Sequence, residues 1–333
     1  VPPAFRFDPV LPGMALNTDA RPCVWSDGSA PDAPSDLDQI AFWSVLDLGR
    51  AIRARKLTST ALTRMYLDRL KRFDPELKCV VTLTEERALA QAKRADEEIA
   101  SGNYRGPLHG IPWGAKDLLA TKDYPTTWGA EPFRDQVIDE DATVVERLDA
   151  AGAVLVAKLT LGALAMGDQW YDGQTKNPWN TKYGSSGSSA GPASATAAGL
   201  GGFARGSETN GSIASPSTVC GVTGLRPTFG CVSRHGAMAL SWTMDKLGPM
   251  CRTAEDTAIV FDAIRGTDGR DLTVRDMPFN FNASTNVSKL RVGYVRSAFG
   301  EDQDRDGSRW RTLDEIRGLG IDHIPIDIPD LPY

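Results

Sequence analysis

Histidine is scarce in this sequence. Only three histidines occur in 333 residues, and His109, His235 and His323 lie far apart along the chain. Zinc sites and Ser-His-Asp triads both rely on histidine, so its scarcity weakens both interpretations. The five cysteines are odd in number and widely spaced, and they match neither a metal-binding pattern nor a disulfide framework. We therefore expect no metal site and no cofactor.

Excess positive charge and long apolar runs are also missing. The net charge of -6 and the isoelectric point near 5.3 argue against a nucleic-acid-binding surface. No apolar run approaches the roughly 20 residues that cross a bilayer, so we expect no membrane partner. No signal peptide is visible, which favours a cytoplasmic location, with a removed export signal as the alternative. A small molecule is the expected ligand, and a homodimer is left open.

The stretch Gly184–Gly224 is dense in glycine, serine, alanine and threonine and holds only two charges, Arg205 and Glu208. A flexible linker would not be followed by a segment as ordered as Thr218–Gly224. The stretch is better interpreted as backbone that approaches a ligand closely and presents serines to it.

Two familiar phosphate-binding and nucleophile motifs fit this stretch poorly. A Walker loop needs a lysine, and none lies between Lys182 and Lys246. Gly187–Gly191 fits the nucleophile-elbow pattern G-x-S-x-G, but that motif needs a strand immediately before it. Residues 177–183 read as a loop, so the elbow remains only an alternative.

Four segments taken together carry a more specific pattern. Asn177-Pro178 followed by Gly187–Gly191 is similar to NP…GSSGG, and Gly206–Ile213 is similar to GTDTGGSI. Val219–Gly230 is similar to FCGVVGLKPTYG, and Gly110–Asp117 to GIPVAVKD. Their order and spacing hold from about residue 45 to 265. The sequence thereby resembles the amidase signature family of serine hydrolases.

The resemblance implies three catalytic residues. Ser212 would be the nucleophile, Lys116 the base, and Ser188, after a cis peptide bond, the bridge that passes the proton between them. The offsets of 24 residues to Ser212 and 11 to Asn177 select Ser188 over its neighbouring serines. Lys116 lies among apolar and small residues, where burial would lower its pKa and free a neutral amine. The alternative is an ion pair with Asp117 or another acid.

The resemblance also implies binding groups around the nucleophile. Met166 and Gly167, in the family's AMG segment, would line the leaving-group side, with core filling as the alternative for Met166. Five aromatic residues near the motifs could form an aromatic-lined pocket, with core packing as the more frequent alternative for such residues, and they are Trp113, Trp128, Trp170, Tyr171 and Trp242. An oxyanion hole would be formed by the backbone amides of Thr209, Asn210, Gly211 and Ser212.

Four positions depart from the family pattern without removing a catalytic group. Glu208 stands in place of Asp, Asn210 and Ala190 in place of Gly, and Ala214 in place of Arg. The lost arginine argues against a carboxylate-bearing substrate bound there. The lost glycines leave the oxyanion geometry open and argue against the tRNA-dependent amidotransferase subunit.

Hydrophobic periodicity indicates an α/β protein. The resemblance implies an α/β/α sandwich with a central mixed β-sheet covered by helices. We expect an N-terminal arm over residues 1–40 and one domain over residues 41–333, incomplete at its C-terminal end. Predicted helices lie within Leu46–Lys71 (broken near Lys56–Ser59), from a Thr82/Glu85 capping box to Gly102, and over Thr143–Ala151, Ala190–Gly199 and Thr253–Arg265. Predicted strands are Lys78–Thr82, Ala153–Ala157 and Gly202–Ala204.

The function expected from these observations is hydrolysis of a carboxylic amide through a Ser212 acyl-enzyme, with Ser188 and Lys116 as the proton relay. One alternative is the catalytic subunit of a glutamine-dependent amidotransferase. Another is a non-catalytic binding protein on the same fold.

Overall fold

The computed structural model describes residues 13, 18–299 and 307–328. The described residues fall in two compact units, one within Val1–Arg21 and Asp27–Phe279, the other within Pro22–Ser26 and Asn280–Tyr333. These units do not follow the expected boundary at residue 40, and the arm and domain defined by that boundary stay a prediction. No helix of the described residues is long and apolar enough to cross a bilayer.

Helices and strands alternate along most of the chain. The helices are α1 Val45–Arg53, α2 Ser59–Leu77, α3 Glu85–Ala100, α4 Thr143–Ala150, α5 Ala190–Ala197, α6 Ala214–Cys220, α7 Ala254–Ile264 and α8 Ser308–Gly318. The strands are β1 Val80–Leu83, β2 Pro112–Lys116, β3 Val154–Leu159, β4 Gln169–Trp170, β5 Gly173–Gln174, β6 Lys176–Asn177, β7 Asn180–Gly184, β8 Phe203–Glu208, β9 Thr223–Gly224, β10 Lys246–Cys251, β11 Val292–Val295 and β12 His323–Ile326.

A six-stranded mixed sheet organises the larger unit, in the order β1-β3-β2-β8-β10-β9. The three central strands β3, β2 and β8 run parallel, while β1, β10 and β9 pair antiparallel with their neighbours. All residues of β2, β3, β8 and β10 are buried, as expected for strands covered by helices on the sheet. In the smaller unit, β11 and β12 form a separate parallel pair.

The core on one face of the sheet comes from α2, α3 and α5. Leu67 and Leu70 of α2, Ala88 of α3 and Ala195 of α5 pack with Val156 of β3 in one buried cluster. These residues recur at helical spacing in α2 and α3, which is why each helix presents one apolar stripe to the sheet. This packing fixes the start of α5, and Ser188 and Ser189 immediately precede that helix.

The expected helices and strands are confirmed, with differences at their ends. The capping box at Thr82 is wrong, because Thr84 is the N-cap residue of α3 and its hydroxyl donates to Leu155 O at 2.6 Å instead of capping. The expected loop at residues 177–183 is also wrong. It contains the turn and second strand of the β6–β7 hairpin, where the Asn177 side chain accepts from Trp179 N at 3.0 Å and forms the turn.

Candidate active site

Lys116 ends the central strand β2 and is fully buried. Its Nζ donates to Ser188 Oγ at 2.8 Å, Ser207 Oγ at 2.9 Å and Ser189 Oγ at 3.1 Å. A carbonyl, Ser207 O, lies at 3.5 Å. Three hydroxyls therefore converge on one amine in a site closed to solvent.

The expected alternative of an ion pair between Lys116 and Asp117 is wrong. Successive residues of an extended chain point to opposite sides, so the two side chains separate. Asp117 instead pairs with Lys158 of β3 at 2.7 Å, and both side chains are fully buried. Asp117 also accepts from the Thr127 N–H at 2.8 Å. Within residues 18–299 and 307–328, no carboxylate lies within ion-pair distance of Lys116.

Burial without a paired carboxylate changes the proton affinity of Lys116. Desolvation lowers the pKa of the amine from its ordinary 10.5 to about 7, and the more distant charges of Asp245 and Glu208 oppose that shift. A substantial fraction of Lys116 is therefore neutral near pH 7. A neutral amine can accept a proton from a hydroxyl, which an ammonium cannot do.

Ser188 follows a cis peptide bond with Gly187, as the resemblance implies. Glycine is required at position 187 because a Cβ there would overlap the carbonyl oxygen of Gly167. The same contact brings the Met166–Gly167 segment beside Ser188. Met166 is 66% exposed, so the interpretation of Met166 as core filler is wrong.

Ser189 occupies the N-cap position of α5, but its hydroxyl makes no capping bond. The Ser189 hydroxyl accepts from Ser207 N at 3.1 Å and donates to Ser207 O at 3.0 Å, in addition to its bond from Lys116. It joins the start of α5 to β8. These bonds give the Ser189 hydroxyl a structural role between α5 and β8.

Ser212 lies in a turn between β8 and α6. Gly211 has a φ of +88°, a left-handed conformation that glycine adopts without strain. The Glu208 carboxylate accepts from Ile213 N at 2.8 Å and Ala214 N at 2.9 Å, which fixes the turn after the nucleophile position. Ser212 O accepts from Ser189 N at 3.1 Å. The structure thus joins the two serine segments through backbone, while no hydrogen bond of the Ser212 hydroxyl occurs among the described residues.

The opposite side of this turn is held by β10 and the loop before it. Thr209 donates its hydroxyl to Asp245, and its carbonyl accepts from Lys246 Nζ at 2.9 Å. Asp245 also accepts from Leu240 N at 2.7 Å and Ser241 N at 2.9 Å. Thr209, the first residue of the expected oxyanion segment, is therefore held in place by hydrogen bonds of both its side chain and its carbonyl group.

Two backbone amides that follow the expected oxyanion segment bind the Glu208 carboxylate, and they belong to Ile213 and Ala214. Burial raises the pKa of this carboxyl, but hydrogen bonds from backbone amides outweigh burial and lower the pKa overall. The amides of Thr209, Asn210, Gly211 and Ser212 stay the predicted donors to an oxyanion.

A cavity of about 410 Å³ lies next to the lysine site. Ser207 and Asp245, which contact Lys116 and Thr209 respectively, form part of its wall. Of the five aromatic residues expected near a pocket, Trp242 lines this cavity, whereas Trp113 is buried and stacks on Phe203 at 6.0 Å. His235, which lies outside the serine motifs in the sequence, also lines this cavity.

Two residues of the site were missed in the sequence. Ser207 lies one residue beyond the glycine that opens the Gly206–Ile213 motif, and its position in that motif was the available signal. Asp245 lies outside every segment compared, directly before a strand that was not predicted. Only the pairing of β10 with β8 brings it to the turn.

The family model described as Amidase matches residues 61–333. This chain belongs to the Amidase family. A glutamyl-tRNA(Gln) amidotransferase subunit of Methylococcus capsulatus is 42% identical over 296 residues, covering 86% of this chain and 61% of the relative. The same subunit of Coxiella burnetii is 40% identical over 264 residues, covering 78% and 54%. The chain thus spans between about half and two thirds of these relatives' lengths.

Solved structures of the Amidase family share this fold. The peptide amidase of Stenotrophomonas maltophilia is 32% identical, with a TM-score of 0.78 over 87% of this chain and 63% of that one. An amidase family protein of Bacillus anthracis is 30% identical, with a TM-score of 0.80 over 89% of this chain and 62% of that one. The expected mixed α/β fold with its central sheet and helices is confirmed.

Proposed function

We propose that this protein hydrolyses a carboxylic amide through an acyl-enzyme on Ser212. The observation that carries the proposal is the fully buried Lys116, hydrogen-bonded to Ser188 at 2.8 Å and without an ion-pair partner among the described residues. Burial lowers the pKa of this amine to about 7, so a substantial fraction of the molecules has a neutral Lys116 near pH 7. Such an amine can start a proton relay that histidine would otherwise supply.

The proposed reaction has an acylation step and a deacylation step. Neutral Lys116 takes the Ser188 proton, Ser188 takes the Ser212 proton, and Ser212 Oγ bonds to the amide carbonyl carbon. The amides of the Thr209–Ser212 turn stabilise the oxyanion of the tetrahedral intermediate. The relay then returns the proton to the leaving nitrogen, the C–N bond breaks, and ammonia or an amine departs. Water, activated by the same relay, hydrolyses the Ser212 ester and releases the carboxylate.

The test is release of ammonia or amine from a panel of aliphatic, aryl and peptide amides. The proposal predicts turnover by the wild-type chain and none by Ser212→Ala, with the two proteins equally folded by circular dichroism. Turnover that persists in folded Ser212→Ala would overturn the assignment of the nucleophile.

The second candidate function is that of the catalytic subunit in a glutamine-dependent amidotransferase complex. Its support is the 42% identity to a protein whose name describes a component of such a complex. Ammonia release from L-glutamine that is low for this chain alone, and rises when partner proteins are added, would favour it. A non-catalytic binding protein would hydrolyse none of these amides and would not react with a serine-directed phosphonate.

A further inference from the structure

Arg205 is one of the two charged residues of the serine-rich stretch, and the proposed reaction does not use it. It lies in the central strand β8, and its side chain is fully buried. Among the residues that the structure describes, its nitrogens Nε, Nη1 and Nη2 have no hydrogen-bond partner, and no carboxylate lies within ion-pair distance. Buried charges in proteins are normally paired and hydrogen-bonded, so this guanidinium calls for a ligand.

The side chains beside Arg205 in the sheet are apolar. Arg205 lies opposite Ala115 of β2 and Pro249 of β10. Residues directly opposite each other share a face of the sheet, so these two short side chains flank the arginine. Phe203, two residues earlier on the same face, stacks on Trp113 at 6.0 Å. None of these four side chains has an oxygen that could accept from the guanidinium.

Cys251 of β10 is close enough to act electrostatically on Arg205. A thiolate at this position would neutralise the guanidinium. However, burial raises the pKa of the Cys251 thiol well above its ordinary 9.0. Cys251 is therefore a neutral thiol near pH 7, which can donate a weak hydrogen bond but does not serve as a counter-ion.

Arg205 itself keeps its charge. Burial lowers the pKa of Arg205 from its ordinary 12.5 to about 9, which leaves nearly every guanidinium protonated at pH 7. Water would satisfy the N–H groups without neutralising the charge, and an uncompensated buried charge is strongly destabilising. An anion both accepts the N–H groups and supplies the opposite charge. A single negative charge matches a single guanidinium, whereas a polyvalent anion would leave excess charge in an apolar interior.

We propose that Arg205 binds a small monovalent inorganic anion of the halide class inside the fold, beside β8. The strand leads directly into the turn that carries Ser212, so the bound anion would stabilise the support of that turn. The inference does not depend on the proposed amide hydrolysis.

Thermal unfolding of the wild-type chain tests anion binding in solution. Circular dichroism is followed in sodium chloride and in sodium gluconate at equal ionic strength, because gluconate is too large for a closed site. A ligand of the folded state alone should raise Tm by about 2 °C for each tenfold increase in chloride above its Kd, in a chain of 333 residues. Equal Tm values in the two salts would overturn the proposal.

Arg205→Met removes the charge and keeps most of the side-chain length. Its Tm should be the same in both salts, and in gluconate at least as high as that of the wild type, because an apolar group replaces an unpaired buried charge. Arg69→Met is the matched control, since Arg69 is also buried but donates to Gly199 O at 2.8 Å and Ala198 O at 3.0 Å. It should lower Tm in both salts and keep the wild-type response to chloride.

An Arg205→Met protein that still responds to chloride, or that is less stable than the wild type in gluconate, would contradict the proposal. Anomalous diffraction from wild-type crystals in sodium bromide gives a direct answer even if this variant does not fold. We expect a bromide peak in contact with the Arg205 guanidinium. Water or a protein carboxylate at that position, without a bromide peak, would overturn the site. Neither experiment measures turnover, so its failure would leave the proposed function intact.

Discussion

Lys116→Arg is the substitution that tests the proposed base most sharply. With a pKa of about 7, roughly half of the Lys116 amines are neutral at pH 7. At the ordinary pKa of 10.5 only about one in three thousand would be neutral. A guanidinium stays protonated under these conditions, so the variant keeps the positive charge and loses the base.

The expected loss is the full contribution of general base catalysis, about 10²- to 10⁴-fold in kcat/KM. Because a guanidinium is larger than an ammonium and this site is fully buried, Lys116→Met serves as a second variant with similar length and no charge. Thermal unfolding followed by circular dichroism establishes that both variants fold. Both should be equally impaired if the amine acts as the base.

The assay is kcat/KM for amide hydrolysis from about pH 5 to 9. Wild-type activity should rise with pH as Lys116 loses its proton, with a midpoint near pH 7. A histidine base would give a rise near pH 6.5, too close to distinguish by the midpoint alone. His235→Ala is therefore the necessary control, because His235 lines the adjacent cavity.

His235→Ala should keep both substantial activity and the rise with pH. His109→Ala and His323→Ala should likewise keep substantial hydrolysis where they fold. An active Lys116→Arg enzyme, or a folded His235→Ala enzyme without activity, would refute the assignment of the base.

Four further substitutions test the catalytic serines, the turn after β8 and the buried Asp117–Lys158 pair. Ser188→Ala should lower kcat by about 100-fold or more because the relay is interrupted, and folded Ser189→Ala by much less; equal losses would mean that the bridging serine is misassigned. Glu208→Gln should lower kcat about tenfold, since its bonds to the turn amides lose their charge, and an unchanged kcat would exclude that positioning role. Lys158→Met should lower the unfolding free energy in urea by about 3–5 kcal/mol, because Asp117 is left as an unpaired buried charge; an unchanged value would contradict the importance of the pair.

Local signals in the sequence were enough to predict most helices and the register of the serine motifs. The α2 and α3 helices repeat apolar residues along one face, and the Gly187–Ser188 segment matched a family pattern by spacing. Such information is contained within a few neighbouring residues. It does not specify which distant side chains meet.

The contacts that complete the site depend on strand pairing. The separation of Lys116 from Asp117 follows from strand alternation, but β2 was not predicted as a strand. Asp245 reaches Thr209 only because β10 pairs with β8, although the two residues lie 36 positions apart. Tertiary pairing of this kind leaves no periodic signal in a single sequence.

Covalent labelling tests most directly whether Ser212 is the nucleophile. The wild-type chain is treated with a serine-directed fluorophosphonate, digested, and the modified residue located by tandem mass spectrometry, with Lys116→Met and Ser212→Ala as controls. We predict one adduct on Ser212, strongly reduced in Lys116→Met and absent in Ser212→Ala. An adduct on Ser189 would instead rule out Ser212 as the nucleophile and favour the nucleophile elbow at Gly187–Gly191.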